Sequence, residues 1–256
     1  NEHAIEKLKE YGITRIVVGR EMTLSELALF RARTGIEVEY FMHGDMCISE
    51  SGQCIHSGVV FGQSGNRGRC LKPCRWTYEL IDEKSGKRLD EGGPGPYKLA
   101  LKDMCMYRAI PELIQAGVFS FKIEGRMRPA PFLRRIVSTY RAAIDAYIAD
   151  PTGYATDEEG WKQLYENRAR DFTTTFAFGQ PTAKDIGFGG TREPRFLSEA
   201  VKEAGFQDDI LKQERPIQKE NASHRTLAVR VGTPAAANAA VDAGADVIYV
   251  GGEAFR

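Results

Sequence analysis

Residues Glu39–Gly58 read EYFMHGDMCISESGQCIHSG, and the reading of this stretch decides the fold. Its first half continues the run IEVEYFM (Ile36–Met42), which alternates and then turns apolar, as a strand entering a core does. Its second half sets Cys47 and Cys54 around Gly52, straight after the strand end. All five cysteines fall between Cys47 and Cys105, in the pattern C-x6-C-x15-C-x3-C-x30-C that also takes in Cys70 and Cys74. Such a cluster either shares a task or is a set of reduced thiols packed as small hydrophobes.

Upstream, AIEKLKEYG (Ala4–Gly12) has helical spacing and RIVVG (Arg15–Gly19) is a short apolar strand. TLSELALFRART (Thr23–Thr34) is a helix with Thr23 as its N-cap. Downstream, LKDMCMYRAIPELIQAG (Leu101–Gly117) reads as a helix closed by a glycine, with Pro111 marking a break or a second start. VFSFKIEG (Val118–Gly125) is a strand, and PFLRRIVSTYRAAIDAYIA (Pro131–Ala149) a long amphipathic helix. Strands alternating with helices over short connections predict an α/β fold of parallel units. A partial TIM-like (β/α) barrel is favoured over an open sheet and spans residues 1–150.

The segment 43–97 interrupts that rhythm and is rich in Gly, Cys, Arg and Pro, with its own strand candidate WTYELID (Trp76–Asp82). Long inserts of this kind carry function, and in a barrel an insert after a strand lies at the catalytic face. Residues 151–207 read as a connecting helix around Trp161 and a small β-rich segment, DFTTTFAFGQPTAKDIGFGG (Asp171–Gly190). A polar linker covers 208–225, and 226–256 read as strand–helix–strand, the start of a second α/β unit.

With 42% hydrophobic and 27% charged residues the composition is that of an ordinary globular protein. Lys+Arg and Asp+Glu balance at 35 each, so any nucleic-acid contact must come from a local patch. The sequence has neither a membrane-length apolar run nor a leader pattern, and an odd, clustered cysteine count argues against a secreted disulfide framework; a cytoplasmic location and no membrane partner are expected. The chain opens without methionine inside a helix pattern and closes on DVIYVGGEAFR (Asp246–Arg256), directly after a buried-strand run, which reads as a fragment cut at both ends. Half a barrel exposes strand edges, so low solubility in isolation is expected.

Thiolates hold zinc or iron–sulfur clusters. Structural zinc normally uses two short knuckles, and only Cys70–Cys74 qualifies. The wide, uneven spacing therefore favours an iron–sulfur cluster, with zinc, completed by His43 or His56, as the alternative. Arg67, Arg69, Lys72 and Arg75 beside Trp76 suit phosphate or carboxylate groups and a stacked base, or form a solvated basic loop. In FKIEGRMR (Phe121–Arg128), Lys122 and Glu124 share one strand face; with Arg126 they are candidates for binding and proton transfer, or a structural ion pair. Lys102 and Asp103 are a helix-cap pair or part of the same pocket. H-E-x-x-H and G-x-S-x-G are absent, since GQSGN (Gly62–Asn66) falls one residue short, and no glycine loop for a nucleotide is complete. A cysteine nucleophile at Cys105 with a distant histidine stays open.

The blocks EYFMHGDMCISESGQC, NRGRCLKPCRW, LKDMC and SFKIEGRMR, in this order, resemble the U-thirty-two peptidases, also called collagenase-like proteases. The resemblance covers Asn1 to Gly190, and the segment Leu227–Phe255, with its AGADVIYVGGEAF, is similar to the opening of the same barrel. Asp45, where a small residue is usual, and His56, where an apolar residue or Asn is usual, depart from the pattern. The resemblance implies either protein hydrolysis or oxygen-independent hydroxylation of a transfer or ribosomal RNA base or a quinone precursor. It implies a 4Fe-4S cluster, prephenate as oxygen donor, RNA and an accessory or paralogous subunit as partners, and Cys47, Cys54, Cys70 and Cys105 as ligands, with Cys74 able to replace Cys105. His43, Lys122, Glu124 and Arg126 are then expected to line the substrate cavity, and Arg67, Arg75 and Lys102 to bind substrate. A non-catalytic cluster-bearing subunit is the third reading.

Overall fold

The computed structural model describes residues 2–125, 129–189, 228–231, 234–245 and 247–250. The chain divides into two compact units, Asn1–Lys202 and Glu203–Arg256.

The first unit opens with α1 (Glu2–Glu10), β1 (Arg15–Val17), α2 (Leu24–Thr34) and β2 (Glu37–Gly44). Thr23 and Glu26 form a reciprocal capping box at the start of α2, and Gly35 ends it at φ 64°. Both ends of the helix are thus set by local sequence. In β2, Val38, Tyr40 and Met42 are buried on one face, and then His43 and Gly44 are buried as well. The alternation followed by an apolar run is what the quoted stretch predicts. This strand has three partners: β1 runs parallel along Glu37–Glu39, β4 (Ser120–Ile123) parallel along Glu39–His43, and β3 (Asp103–Cys105) antiparallel at His43 and Gly44. A two-residue β5 (Phe172–Thr173) runs parallel to β3.

Helix α3 (His56–Phe61) lies in the cysteine segment, α4 (Ile110–Gln115) precedes β4, and α5 (Ala130–Ala149) and α6 (Glu158–Glu166) follow it. Helices α1, α2, α4, α5 and α6 contribute side chains to the core against this sheet, and α3 does not. In α5 the buried residues Ile136, Tyr140, Ala143, Ile144 and Tyr147 form a single helical stripe toward the core. Each such large side chain contributes about 1.5–3 kcal/mol of burial. In the second unit, β6 (Ala228–Val231), α7 (Pro234–Asp242) and β7 (Val247–Val250) make a parallel strand–helix–strand unit.

Three expectations change. The fold is mixed α/β with a parallel-rich sheet, but the strands among the described residues do not close into a barrel. The single helix expected over Leu101–Gly117 is instead β3, a 3-10 turn at Tyr107–Ala109 and α4, which has Pro111 in its first turn. Asp103–Cys105 are all buried and take strand geometry because β2 and β5 supply partners on either side, which local periodicity does not register. Trp76–Asp82 joins no sheet; it folds back on itself through one bridge, Ile81 to Arg88, around a turn that the Asp82 carboxylate caps at Ser85. Leu80 and Ile81 stay exposed, so no packing rewards a longer strand.

No helix among the described residues is long and apolar enough to cross a membrane.

Candidate functional site: a cysteine-lined cavity

Polar contacts fold the segment after β2 on itself and tie it to the sheet. Glu21, just beyond β1, accepts from the Ser51 amide at 2.6 Å and from its hydroxyl at 3.0 Å. Asn66 donates to the Gly52 carbonyl at 3.0 Å, and the Ser57 hydroxyl accepts from the Leu71 amide at 2.9 Å. Arg75 is buried and donates to the carbonyls of Leu101 and Met46. Its guanidinium is therefore engaged in holding the segment against the start of β3. Lys72 takes the left-handed conformation at φ 52°, uncommon for a residue with a side chain, and its amide donates to the Cys70 sulfur at 3.2 Å. That turn reverses the chain between Cys70 and Cys74.

The result is a cavity of about 610 Å³ with Cys47, Cys54, Cys70 and Cys74 in its wall. This volume is in the range of small-molecule sites. Charged groups share the wall: Arg20, Glu21, Asp45, Lys72 and Glu124. Asp45 bridges Lys72 and Arg170, and Arg170 also reaches Asp103 at 3.1 Å between side chains that are almost fully buried. The Arg20 guanidinium stacks on the Phe41 ring at 3.8 Å, and the Lys122 ammonium lies 4.8 Å from the same ring. Phe41 and Lys122 are cross-strand partners, so β2 and β4 fix this contact.

Burial pushes the Cys47 thiol up; Arg20 and Arg75 oppose this, and the Cys70 and Cys54 thiols add to it. Burial likewise pushes Cys74 up to about 11, with Arg75 opposing. Without metal these two thiols are protonated at neutral pH. Cys105 stands elsewhere. It is buried on β3, its sulfur 3.4 Å from the Tyr140 hydroxyl, and burial holds it at about 11. His43 Nδ1 is 3.2 Å from the same hydroxyl, which itself donates to the Met42 carbonyl at 3.2 Å. The His43 ring packs on Phe172 and faces a water-sized pocket beside Ile136 and Leu164.

The expected site residues thus separate. Cys47, Cys54, Cys70 and Glu124 line one cavity, Arg75 is built into its wall, and Lys122 lies against Phe41. His43 and Cys105 meet at Tyr140, Arg67 is exposed on a 3-10 turn, and the Lys102 amide bonds Asp185 at 2.8 Å. Arg126 lies outside the described residues. Sequence reading missed Arg20, which sits at the end of a parallel strand as Glu124 does and is visible by the same rule. It also missed Arg170, which no local pattern links to Asp45.

Among the described residues no three His, Cys, Asp or Glu side chains stand in a metal-binding arrangement. The donor set nonetheless fits a thiolate-held cluster in kind and number: four cysteines face one cavity large enough for it.

A family model matches residues 1–187, and it is that of peptidase family U32. The chain belongs to peptidase family U32. Within this family it is 36% identical over 191 residues to tRNA hydroxylation protein P1 of Bacillus subtilis, covering 74% of this chain and 45% of that one. It is 36% identical over 156 residues to the 23S rRNA 5-hydroxycytidine synthase of Escherichia coli, covering 60% of this chain and 23% of that one. A collagenase of Porphyromonas gingivalis is 32% identical over 174 residues, covering 65% and 41%. The U32 chain spans less than half the length of these relatives. No solved structure matches it.

Proposed function

We propose that this U32 chain is the cluster-bearing part of an enzyme that hydroxylates a base of transfer or ribosomal RNA without molecular oxygen. The observation that carries this reading is the convergence of Cys47, Cys54, Cys70 and Cys74 on one cavity of about 610 Å³. The names of two relatives, a tRNA hydroxylation protein and an rRNA hydroxycytidine synthase, give the reaction class.

A 4Fe-4S cluster bound there would supply one-electron chemistry and a Lewis-acidic iron. Cys47, Cys54 and Cys70 would hold it; the fourth ligand is Cys74 by its place in the cavity or Cys105 by the family resemblance. The rest is work for the chain's own side chains. Glu124, at the end of β4 and in the cavity wall, is placed to take or return a proton from the base. Arg20 offers positive charge to a carboxylate of an oxygen donor such as prephenate.

The peptidase reading has less support. The thiol and imidazole of Cys105 and His43 both meet the Tyr140 hydroxyl, which stands 3.4 Å from the sulfur and 3.2 Å from the ring nitrogen. The sulfur is buried and its thiol is pushed up to about 11, the opposite of an activated nucleophile. The test is nucleoside mass spectrometry of RNA from cells with and without the gene. The proposal expects one nucleoside, heavier than its parent by a single oxygen, to disappear on deletion and to return with the wild-type gene but not with Cys70→Ala. An unchanged nucleoside profile contradicts it.

A further inference from the structure

The wall of the cysteine cavity continues onto an exposed face that none of the chemistry above uses. α3 starts in the wall with His56 and Ser57 and ends outside it at Phe61, whose ring meets Trp76 edge-on at 5.1 Å. Both rings are more than one-third exposed, and Ile55, Val59 and Val60 beside them are 69%, 73% and 59% exposed. An apolar helix face with two aromatic rings at its end is costly to leave in water and marks a docking surface.

Charge selects the occupant. From Ser51 to Tyr78 there is no Asp or Glu; within this span Lys72 is paired with Asp45 and Arg75 is buried against the Leu101 and Met46 carbonyls, which leaves Arg67 as the exposed cation. Arg67, on the 3-10 turn that follows α3, is exposed, and its guanidinium has no ion pair or hydrogen bond among the described residues. Rings that accept any base face, on the same segment as an exposed cation that accepts phosphate, match single-stranded nucleic acid. A base that reacts within this cavity must also leave its stack, so its flanking nucleotides need a platform at the mouth.

We infer that Phe61 and Trp76 stack an RNA base next to the reacting nucleotide, and that Arg67 receives its phosphate. This rests on the RNA hydroxylase reading and adds to it where the RNA lies. The rings hold the RNA strand at the cavity mouth without reading its sequence, and the neighbouring nucleotide passes inward past His56 toward Glu124.

The experiment measures binding of a tRNA transcript to the whole cluster-loaded protein by fluorescence anisotropy, for wild type, Phe61→Ala, Trp76→Ala, Trp76→Phe and Arg67→Glu. All these side chains are exposed, and the visible absorption of the cluster reports that each variant is intact. The expected result is roughly a ten-fold or greater loss for Trp76→Ala and Phe61→Ala. Trp76→Phe should stay near wild type, and Arg67→Glu should weaken binding and flatten its salt dependence. Unchanged tRNA binding in all variants of an enzyme that still hydroxylates RNA overturns this inference and leaves the proposed function standing. Unchanged tRNA binding with loss of a co-purifying protein overturns it in favour of a protein-docking face. No tRNA binding by wild type, together with no hydroxylation, overturns both.

Discussion

Arg170 donates to the carboxylate of Asp45, joining the segment ahead of β5 to the residue that follows β2. Asp45 also pairs with Lys72 between Cys70 and Cys74, and Arg170 reaches Asp103 on β3 at 3.1 Å. Four charges from four separate parts of the chain therefore fix the position of the cysteine segment relative to the sheet. Arg170 and Asp103 are almost fully buried, where an ion without its partner is expensive.

Removing the central cation is expected to cost the most. Arg170→Met should lower unfolding free energy by about 3–5 kcal/mol, because Asp103 and Asp45 lose their shared partner. Adding Asp103→Asn should recover part of that loss. Denaturant melts of the four proteins in the cycle check it; a loss below ~1 kcal/mol would mean that solvent already screens the network.

Gly44 cannot be replaced quietly. Its φ is +119°, and a Cβ there would lie 2.6 Å from the Glu124 carbonyl oxygen and 2.9 Å from Glu124 Cβ. Gly44→Ala should cost about 1–3 kcal/mol in backbone strain alone and push Glu124 out of the cavity wall. The expected result is a lower Tm together with a fall in hydroxylation greater than the loss of folded protein explains.

The fold was legible wherever one short window carried the whole signal. Thr23 with Glu26 marks the start of α2, and Val38, Tyr40 and Met42 mark the buried face of β2. The stripe from Ile136 to Tyr147 marks α5. Legibility failed where the deciding partner was distant. Met104 and Cys105 read as helix because Gly44 and His43, which pair with them, lie some sixty residues earlier. The cavity was half legible: the cysteine spacing signalled a common site, while Arg170 could be connected to Asp45 only in three dimensions.

The metal-free protein should show a defined pH response. Burial raises Cys74 and Cys105 from the ordinary 9 to about 11, so between these values the folded chain binds more protons than the unfolded one. Stability from this source is complete below pH ~9 and falls as pH rises toward ~11. Guanidinium melts of cluster-free protein across that window should show a declining midpoint. Cys74→Ser with Cys105→Ser should flatten the decline, and a decline of unchanged slope would contradict the assignment.

The fourth cluster ligand can be assigned by substitution. Cys47→Ala, Cys54→Ala and Cys70→Ala should each abolish cluster absorption. Of Cys74→Ala and Cys105→Ala, one should do the same and the other should leave absorption intact. If Cys105 is the ligand, its side chain must turn from Tyr140 toward the cavity, and Tyr140→Phe should then leave cluster content near wild type. If both variants keep a full cluster, a non-cysteine ligand holds the fourth iron.

The most direct test of the account is iron and sulfide analysis of the protein purified without oxygen, beside Cys47→Ala. The expected result is about four irons and four sulfides per chain, with visible charge-transfer absorption, and loss of all three in the variant. Stoichiometric zinc, or no metal in a folded wild-type protein, would contradict it and return the cysteine cavity to a structural or hydrolytic role.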